Sequence, residues 1–229
     1  MGHMYVLSID YRLAPEHPFP SALYDVYSAY SWVDENLSKP QDEQSDFFKN
    51  VNPNKVFVAG DSAGGSLSIA ASIMARDGIK HSSDSEVLPA AKHQPAHQVL
   101  IYPVVDHESN RNANGTYILD KEGMDFFSSC YVQDQSILDP EHHHHHLYKH
   151  SRADTSNLPE ATVITAKFDP LYEEGRLYAD KMKKNGVNVT YKEYDTVHGF
   201  VTFDFLKESV DAKQFILDTL KQKDLVGRC

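Results

Sequence analysis

A serine between glycines occupies a position where it could act as a nucleophile. Residues 60–65, GDSAGG, contain the pattern G-x-S-x-G with Ser62 at its centre. The apolar run at 56–59 that precedes it is typical of a buried strand, and the small and aliphatic residues up to Arg76 are typical of a helix. This order predicts a sharp strand-to-helix turn that presents the Ser62 hydroxyl at a helix N-terminus, where developing negative charge is stabilised. The alternative is a Gly-rich loop in which Ser62 only caps the helix.

A carboxylate and a histidine follow Ser62 in a suggestive order. Ester hydrolysis by a serine needs an imidazole to take the hydroxyl proton and a carboxylate to orient that imidazole. Asp169 follows a β-branched strand at 161–166, and His198 follows a strand at 188–194. We therefore expect all three side chains at the carboxyl ends of parallel strands, where ligands bind in open α/β sheets. The alternative for Asp169 is a helix cap with no further role. For His198, one of 13 histidines, only its position favours a function.

Four stretches resemble motifs of the hormone-sensitive-lipase group of α/β-hydrolases, which includes arylacetamide deacetylases and many bacterial esterases. They are GDSAGG at Ser62, DYRLAPEHPFPSAL from Asp10, FDPLYEEG around Asp169 and VHGF around His198. The resemblance implies a serine carboxylesterase for short-chain esters, with these three residues as a Ser-His-Asp triad and with no cofactor. Two rival functions stay open: a non-catalytic small-molecule-binding module on the same fold, and a serine peptidase or amidase.

The resemblance also implies an oxyanion hole, the set of N–H donors that binds the negatively charged oxygen of the reaction intermediate. One donor is the N–H of Ala63, and in the family the others come from an HGGG loop after an earlier strand. No HGGG occurs in the 229 residues. We therefore expect an N-terminally incomplete domain with weak activity. Arg12 and Glu16, in the second motif, are expected to brace the site rather than react, and Tyr172-Glu173 replaces the usual Arg-Asp beside the acid without affecting the acid itself.

Alternating strand and helix patterns predict an α/β fold, a parallel sheet of about five strands with helices on both faces. The expected strands are at 4–10, 56–59, 98–102, 161–166 and 188–194. Residues 1–229 show no repeat and are expected to form one domain, with 106–157 as a lid or cap insertion. Five consecutive histidines at 142–146 lack Cys, Asp or Glu at ligand spacing, so a solvated loop is favoured over a metal site.

The composition limits the class of partner. The net charge of −11 argues against nucleic acid or an anionic membrane surface as the main partner. The expected partner, a small-molecule ester, is what the resemblance implies. No apolar run reaches the length of a membrane span, and the N-terminus lacks the pattern of a secretory signal. Two cysteines, Cys130 and Cys229, make no disulfide framework, so we expect a reduced, cytoplasmic protein.

One consequence concerns the sheet. In the resembled family, the strand leading to the HGGG loop lies between the strands that correspond to 4–10 and 56–59. Without it, buried N–H groups would be left unpaired at a cost of about 1–3 kcal/mol each. We therefore expect the two strands to pair directly, or a homodimer in which a second copy fills the slot.

Overall fold

Four parallel strands form the central sheet of the computed structural model, which describes residues 4–80, 87–106 and 118–227. In chain order the strands are β1 (Val58–Asp61), β2 (Ile79–Lys80), β3 (Val87–Leu88), β4 (His97–Ile101), β5 (Glu160–Ala166) and β6 (Val189–Tyr194). The sheet has the order β1-β4-β5-β6, and all three neighbouring pairs are parallel. The two shortest strands, β2 and β3, pair antiparallel in a separate ladder. The predicted α/β fold with a parallel sheet is confirmed.

In the described part of the chain, six α-helices accompany the strands: α1 (Ser21–Leu37), α2 (Ala63–Asp77), α3 (Lys121–Tyr131), α4 (His145–Tyr148), α5 (Tyr172–Lys184) and α6 (Lys207–Gln222). Among the residues that the structure describes, no helix combines the length and the apolar composition of a membrane span. The small residues of α2, from Gly65 to Ala75, are all buried, which allows this helix to lie between the sheet and α1.

The two central strands of the sheet, β4 and β5, contribute side chains to the core on both faces of the sheet. Successive side chains of a strand point to opposite faces, so neighbouring residues enter different parts of the core. Leu100 and Val163 pack with buried residues of α1, α2 and α5 on one face. On the other face, Val99 packs with Leu220, and Ile164 packs in the cluster that contains Ala212, both from α6. Helices therefore cover both faces, and the run of apolar residues in each central strand reflects burial on both sides.

The prediction of a strand at 4–10 is wrong. These residues form no ladder, and Met4, Tyr5, Val6 and Leu7 have exposed fractions of 50%, 59%, 76% and 56%. Among the described residues β1 is an edge strand, so direct pairing between 4–10 and β1 is also contradicted. The reason is that an apolar run indicates only that a segment tends to be buried. A strand also needs a neighbouring strand at hydrogen-bonding distance.

The proline-rich loop after this segment is held by a charged pair. The guanidinium of Arg12 donates to Asp25 of α1, with Nε 2.9 Å from Oδ2 and Nη2 2.8 Å from Oδ1. The hydrogen bonds from Arg12 hold the pKa of Asp25 below its ordinary value. Arg12 thus has the structural contacts that the sequence led us to expect, while Glu16 is exposed.

The histidine run does not form the solvated loop that we expected. His144 and His145 are 2% and 4% exposed, and α4 begins at His145. The Nδ1–H of His145 donates to the carbonyl of Ile137 at 2.9 Å, while the ring of His144 meets the ring of Phe19 edge-on. A neutral imidazole has an aromatic body and only two polar atoms, so it can be buried once those atoms find partners. Within the described ranges no group of three or more histidine, cysteine or acidic side chains is arranged to hold a metal ion.

The first residue of β4 makes the stability of the fold depend on pH. His97 is fully buried beside Thr162, with 2.8 Å between Nε2 and Oγ1, and burial lowers its pKa from 6.5 to about 4, with the charge of Lys223 acting in the same direction. The unfolded chain binds a proton near pH 6.5 but the folded chain resists it down to about pH 4. The free energy of unfolding should therefore fall by roughly 3 kcal/mol as the pH is lowered from 6.5 to 4.

Urea unfolding at pH 7 and pH 4.5 measures this effect. His97→Gln, which retains a polar group near Thr162, should lose most of the pH dependence. The control His17→Gln changes an exposed histidine and should keep it. An equal loss of stability at low pH in the protein and in His97→Gln would show that other groups are responsible.

Candidate active site

Ser62 lies on a sharp turn between β1 and α2 and has a strained backbone. Its φ of 53° and ψ of −117° are unfavourable for a residue with a side chain. Two hydrogen bonds hold the turn: the N–H of Ser62 donates to Ile101 at 2.9 Å, and the N–H of Val104 donates to the Ser62 carbonyl at 3.2 Å. A Cβ on Gly60 would lie 2.1 Å from the carbonyl oxygen of Gly64, so only glycine fits there. The predicted strand–turn–helix geometry is present.

The hydroxyl of Ser62 faces a histidine rather than capping its own helix. Ser62 is at the N-cap position of α2 but makes no side-chain capping hydrogen bond. Its Oγ instead lies 2.9 Å from Nε2 of His198. The helix-cap alternative therefore does not account for the position of this hydroxyl.

Asp169 completes a chain of hydrogen bonds behind His198. Its Oδ2 lies 2.6 Å from Nδ1 of His198, and its side chain is fully buried while that of His198 is 12% exposed. Its other oxygen, Oδ1, accepts the N–H of Leu171 at 2.8 Å, so Asp169 also supports the start of α5. Because the ionised carboxylate accepts the proton on Nδ1, the lone pair of Nε2 points towards Ser62. The structure thus brings the three predicted residues together from the ends of β1, β5 and β6.

Ala63 is the first residue of α2 and is exposed beside Ser62. An N–H in the first turn of a helix has no acceptor within that helix, and the positive end of the helix dipole lies there. The site therefore offers a backbone donor and a favourable field next to the hydroxyl.

Two buried contacts near the site were not predicted. The carboxylate of Glu174, on α5, accepts the N–H of Val105 at 2.7 Å, which ties the loop after β4 to α5. The hydroxyl of Ser66 lies 2.8 Å from Nε2 of His150, so the segment 145–152 is linked to α2 one turn beyond Ser62. Sequence patterns gave no signal for either contact, since both join residues far apart in the chain.

Tyr172 and Glu173, which replace the usual Arg-Asp of the resembled family, form hydrogen bonds and ion pairs with other residues. The hydroxyl of Tyr172 donates to Glu193 of β6 at 2.8 Å, and Glu173 pairs with Arg176 one turn further along α5. Neither contact involves Asp169 directly, and the hydrogen bond that Asp169 accepts from Nδ1 of His198 is present despite the substitutions.

An open parallel α/β sheet with a serine on a strained turn, followed by an acid and a histidine at later strand ends, defines the class of α/β-hydrolases. A family-wide sequence model of the alpha/beta hydrolase fold matches residues 2–202, and the chain belongs to this family. The resemblance to hormone-sensitive-lipase-type carboxylesterases that the motifs indicated is confirmed by the relatives described next.

Among curated proteins, the chain is 34% identical over 203 residues to the carboxylic ester hydrolase LipN of Mycobacterium tuberculosis, covering 86% of this chain and 48% of LipN. It is 31% identical to an arylesterase of Saccharolobus solfataricus, covering 58% of that protein. Among solved structures, a hyperthermophilic esterase from Pyrobaculum calidifontis has a TM-score of 0.75 at 36% identity, covering 94% of this chain and 64% of that one. The chain thus spans about half to two thirds of the length of these relatives.

Proposed function

We propose that this chain is a serine carboxylesterase that hydrolyses short-chain carboxylic esters, with Ser62 as nucleophile, His198 as general base and acid, and Asp169 as the residue that orients His198. The observation that carries the proposal is the continuous hydrogen-bonded chain, 2.9 Å from Ser62 to His198 and 2.6 Å from His198 to Asp169. Relatives described as ester hydrolases support the same reaction class.

The reaction proceeds in two halves. Nε2 of His198 takes the hydroxyl proton as Oγ of Ser62 attacks the ester carbonyl, and the resulting imidazolium protonates the leaving alcohol. The acyl group is then bound to Ser62 as an ester. Water attacks this acyl-enzyme, giving its proton to His198, which returns it to Oγ as the carboxylic acid leaves. Asp169 remains ionised throughout and holds the imidazole in the required tautomer.

The N–H of Ala63 would supply one donor to the oxyanion in both halves of the reaction. The chain contains no HGGG sequence, which in the resembled family supplies the other donors. Loss of one such donor costs about a hundredfold to a thousandfold in rate. We therefore retain the expectation of weak activity, with activated esters of short acyl chains as the best substrates.

Hydrolysis of p-nitrophenyl esters of increasing acyl length tests the proposal, alongside the matched p-nitroanilide of acetic acid. We expect turnover of acetate and butyrate esters and no turnover of the anilide. Faster cleavage of the anilide would favour an amidase or peptidase. Absence of ester turnover, together with saturable ester binding, would favour a non-catalytic binding module.

We also propose that the chain forms a single domain in which 106–157 is a cap, although 107–117 lie outside the described residues. The contacts of His150 support this, because its N–H donates to Val105 at 3.0 Å and its ring meets Ser66 of α2. On the other side, the N–H of Phe19 donates to the carbonyl of Tyr131, at the end of α3. The described part of the cap thus contacts the loop after β4, the helix α2 and the proline-rich loop.

The N-terminal apolar segment supports a homodimer as the partner state. With direct strand pairing excluded, the edge of β1 has no neighbouring strand among the described residues, and the side chains of residues 4–7 remain at least half exposed even though Tyr5 contacts Phe47. Light scattering should show a dimer, and Val6→Asp should give a monomer. Val210→Asp, at an exposed valine of α6, should leave the dimer intact. A monomer before any substitution would contradict this. The cytoplasmic location and the lack of a nucleic-acid partner stay predictions.

A further inference from the structure

Tyr102, directly after β4, has a backbone conformation that demands an explanation. Its φ is 35°, in the left-handed region, although it is a bulky residue. Such a conformation costs of order 1–3 kcal/mol and persists only where the surroundings enforce it. Here the N–H of Tyr102 donates to the carbonyl of Ile164 at 2.6 Å, and the side chain is 1% exposed. The turn at Tyr102 is therefore fixed by the adjacent strand β5.

The strained turn directs the ring of Tyr102 at the imidazole of His198. The two ring centroids are 4.7 Å apart with an interplanar angle of 58°, and Phe200 contacts the same tyrosine ring at 5.8 Å. The hydroxyl of Tyr102 makes a long hydrogen bond, 3.4 Å, to Oδ2 of Asp61, the residue before Ser62. Burial, followed by the charge of Asp61, raises the pKa of Tyr102, so the hydroxyl stays protonated and remains a donor. One side chain thus contacts both the nucleophile turn and the histidine loop.

The hydrogen bonds of His198 fix only part of its position. Asp169 and Ser62 contact the two ring nitrogens, which lie on the edge of the imidazole. Contacts at the edge leave the tilt of the ring to be fixed by packing on its faces. His198 is followed by Gly199, which has a φ of 75° and starts a short 3-10 turn, and the buried Phe200 of that turn also packs on the ring of Tyr102. The rigid aromatic ring of Tyr102 against the imidazole limits that tilt.

We propose that Tyr102 is a positioning residue, whose ring holds the imidazole of His198 in line between Ser62 and Asp169 and whose hydroxyl, bound to Asp61, fixes that ring. The inference rests on the proposed esterase function and adds a fourth residue to its machinery. Since a misplacement of about 1 Å can cost a hundredfold in rate, loss of the ring should lower kcat by about that factor while KM changes little.

Three substitutions of Tyr102 and one control substitution separate positioning from general stability. Tyr102→Phe keeps the ring and loses the hydrogen bonds of the hydroxyl with Asp61 and with the backbone of Val201, so kcat should fall no more than a fewfold. Tyr102→Met and Tyr102→Leu fill the space without a ring, and kcat should fall about a hundredfold in each. Tyr194→Leu is the matched control because Tyr194 is a buried tyrosine of the same apolar cluster whose ring contacts Phe200, with a hydroxyl that donates to Asp211. It should lower the melting temperature without lowering kcat.

Proton NMR gives a readout that needs no turnover. The proton between Nδ1 of His198 and Oδ2 of Asp169 should give a resonance far downfield of the amide protons. We expect it in the unsubstituted protein, in Tyr102→Phe and in Tyr194→Leu, and expect it broadened or lost in Tyr102→Met and Tyr102→Leu. A sharp resonance in the variants without a ring, its absence before substitution, or a loss of kcat no larger than in Tyr194→Leu would each overturn the proposal. If the resonance behaves as expected but no ester is hydrolysed, the esterase function fails and the positioning role stands.

Discussion

Ser62→Ala should abolish ester hydrolysis by this chain. Removal of the nucleophile from a serine hydrolase costs about six orders of magnitude in kcat, which should leave only background hydrolysis. The substitution takes away a hydroxyl that makes no helix-capping bond, so the fold should be unaffected. Initial rates on p-nitrophenyl acetate, measured beside the melting temperature, give both quantities.

The matched control for this variant is Ser72→Ala. Ser72 is also a serine of the α2 region but is fully buried, and its hydroxyl donates to the carbonyl of Ser68 at 2.9 Å, away from His198. We expect it to retain the full esterase rate. Activity in Ser62→Ala above that of a heat-denatured sample would mean that another group performs the attack.

Asp169→Asn should reduce kcat by about four orders of magnitude while leaving substrate binding nearly unchanged. The amide can still accept the N–H of Leu171, so the start of α5 should persist. The amide can also donate to Nδ1 of His198, which would place the imidazole proton on Nε2. A protonated Nε2 cannot accept the proton of Ser62. Steady-state kcat and KM with p-nitrophenyl butyrate measure the effect.

Glu173→Gln is the control for Asp169→Asn, because it removes a nearby carboxylate that forms an ion pair with Arg176 on α5 rather than a contact with His198. Its rate should stay within about twofold of the unsubstituted protein, as expected for a partly exposed ion pair. If Asp169→Asn lost less than tenfold, the carboxylate would have only its structural role at the start of α5.

The sequence was sufficient for the parts of the site that depend on local patterns. The strained turn at Ser62 is specified by glycines and by a change from strand to helix pattern within a few residues. The positions of Asp169 and His198 followed from the rule that parallel strands place their carboxyl ends at one edge of the sheet. These inferences need no knowledge of which strands are neighbours.

The errors arose where the outcome depends on distant partners. The apolar residues at 4–10 look like a strand, but their conformation depends on a neighbouring strand that the pattern does not report. The sequence suggests that His144 and His145 are exposed because histidine is polar. The ring of Phe19 and the carbonyl of Ile137, which accepts a hydrogen bond from His145, allow their burial. Tyr102 reads as the last residue of a strand, and its turn towards His198 is visible only in three dimensions.

The central claim is that Ser62 is a nucleophile activated by His198, and covalent labelling tests it most directly. An alkyl fluorophosphonate reacts with such a serine by forming a phosphorus–oxygen bond as fluoride leaves and the hydroxyl proton passes to the histidine. Intact mass should show one phosphonyl group per chain, and peptide mapping should place it on Ser62. Labelling should vanish in Ser62→Ala and become much slower in His198→Ala. An unlabelled protein, or an adduct on any other residue, would contradict the account.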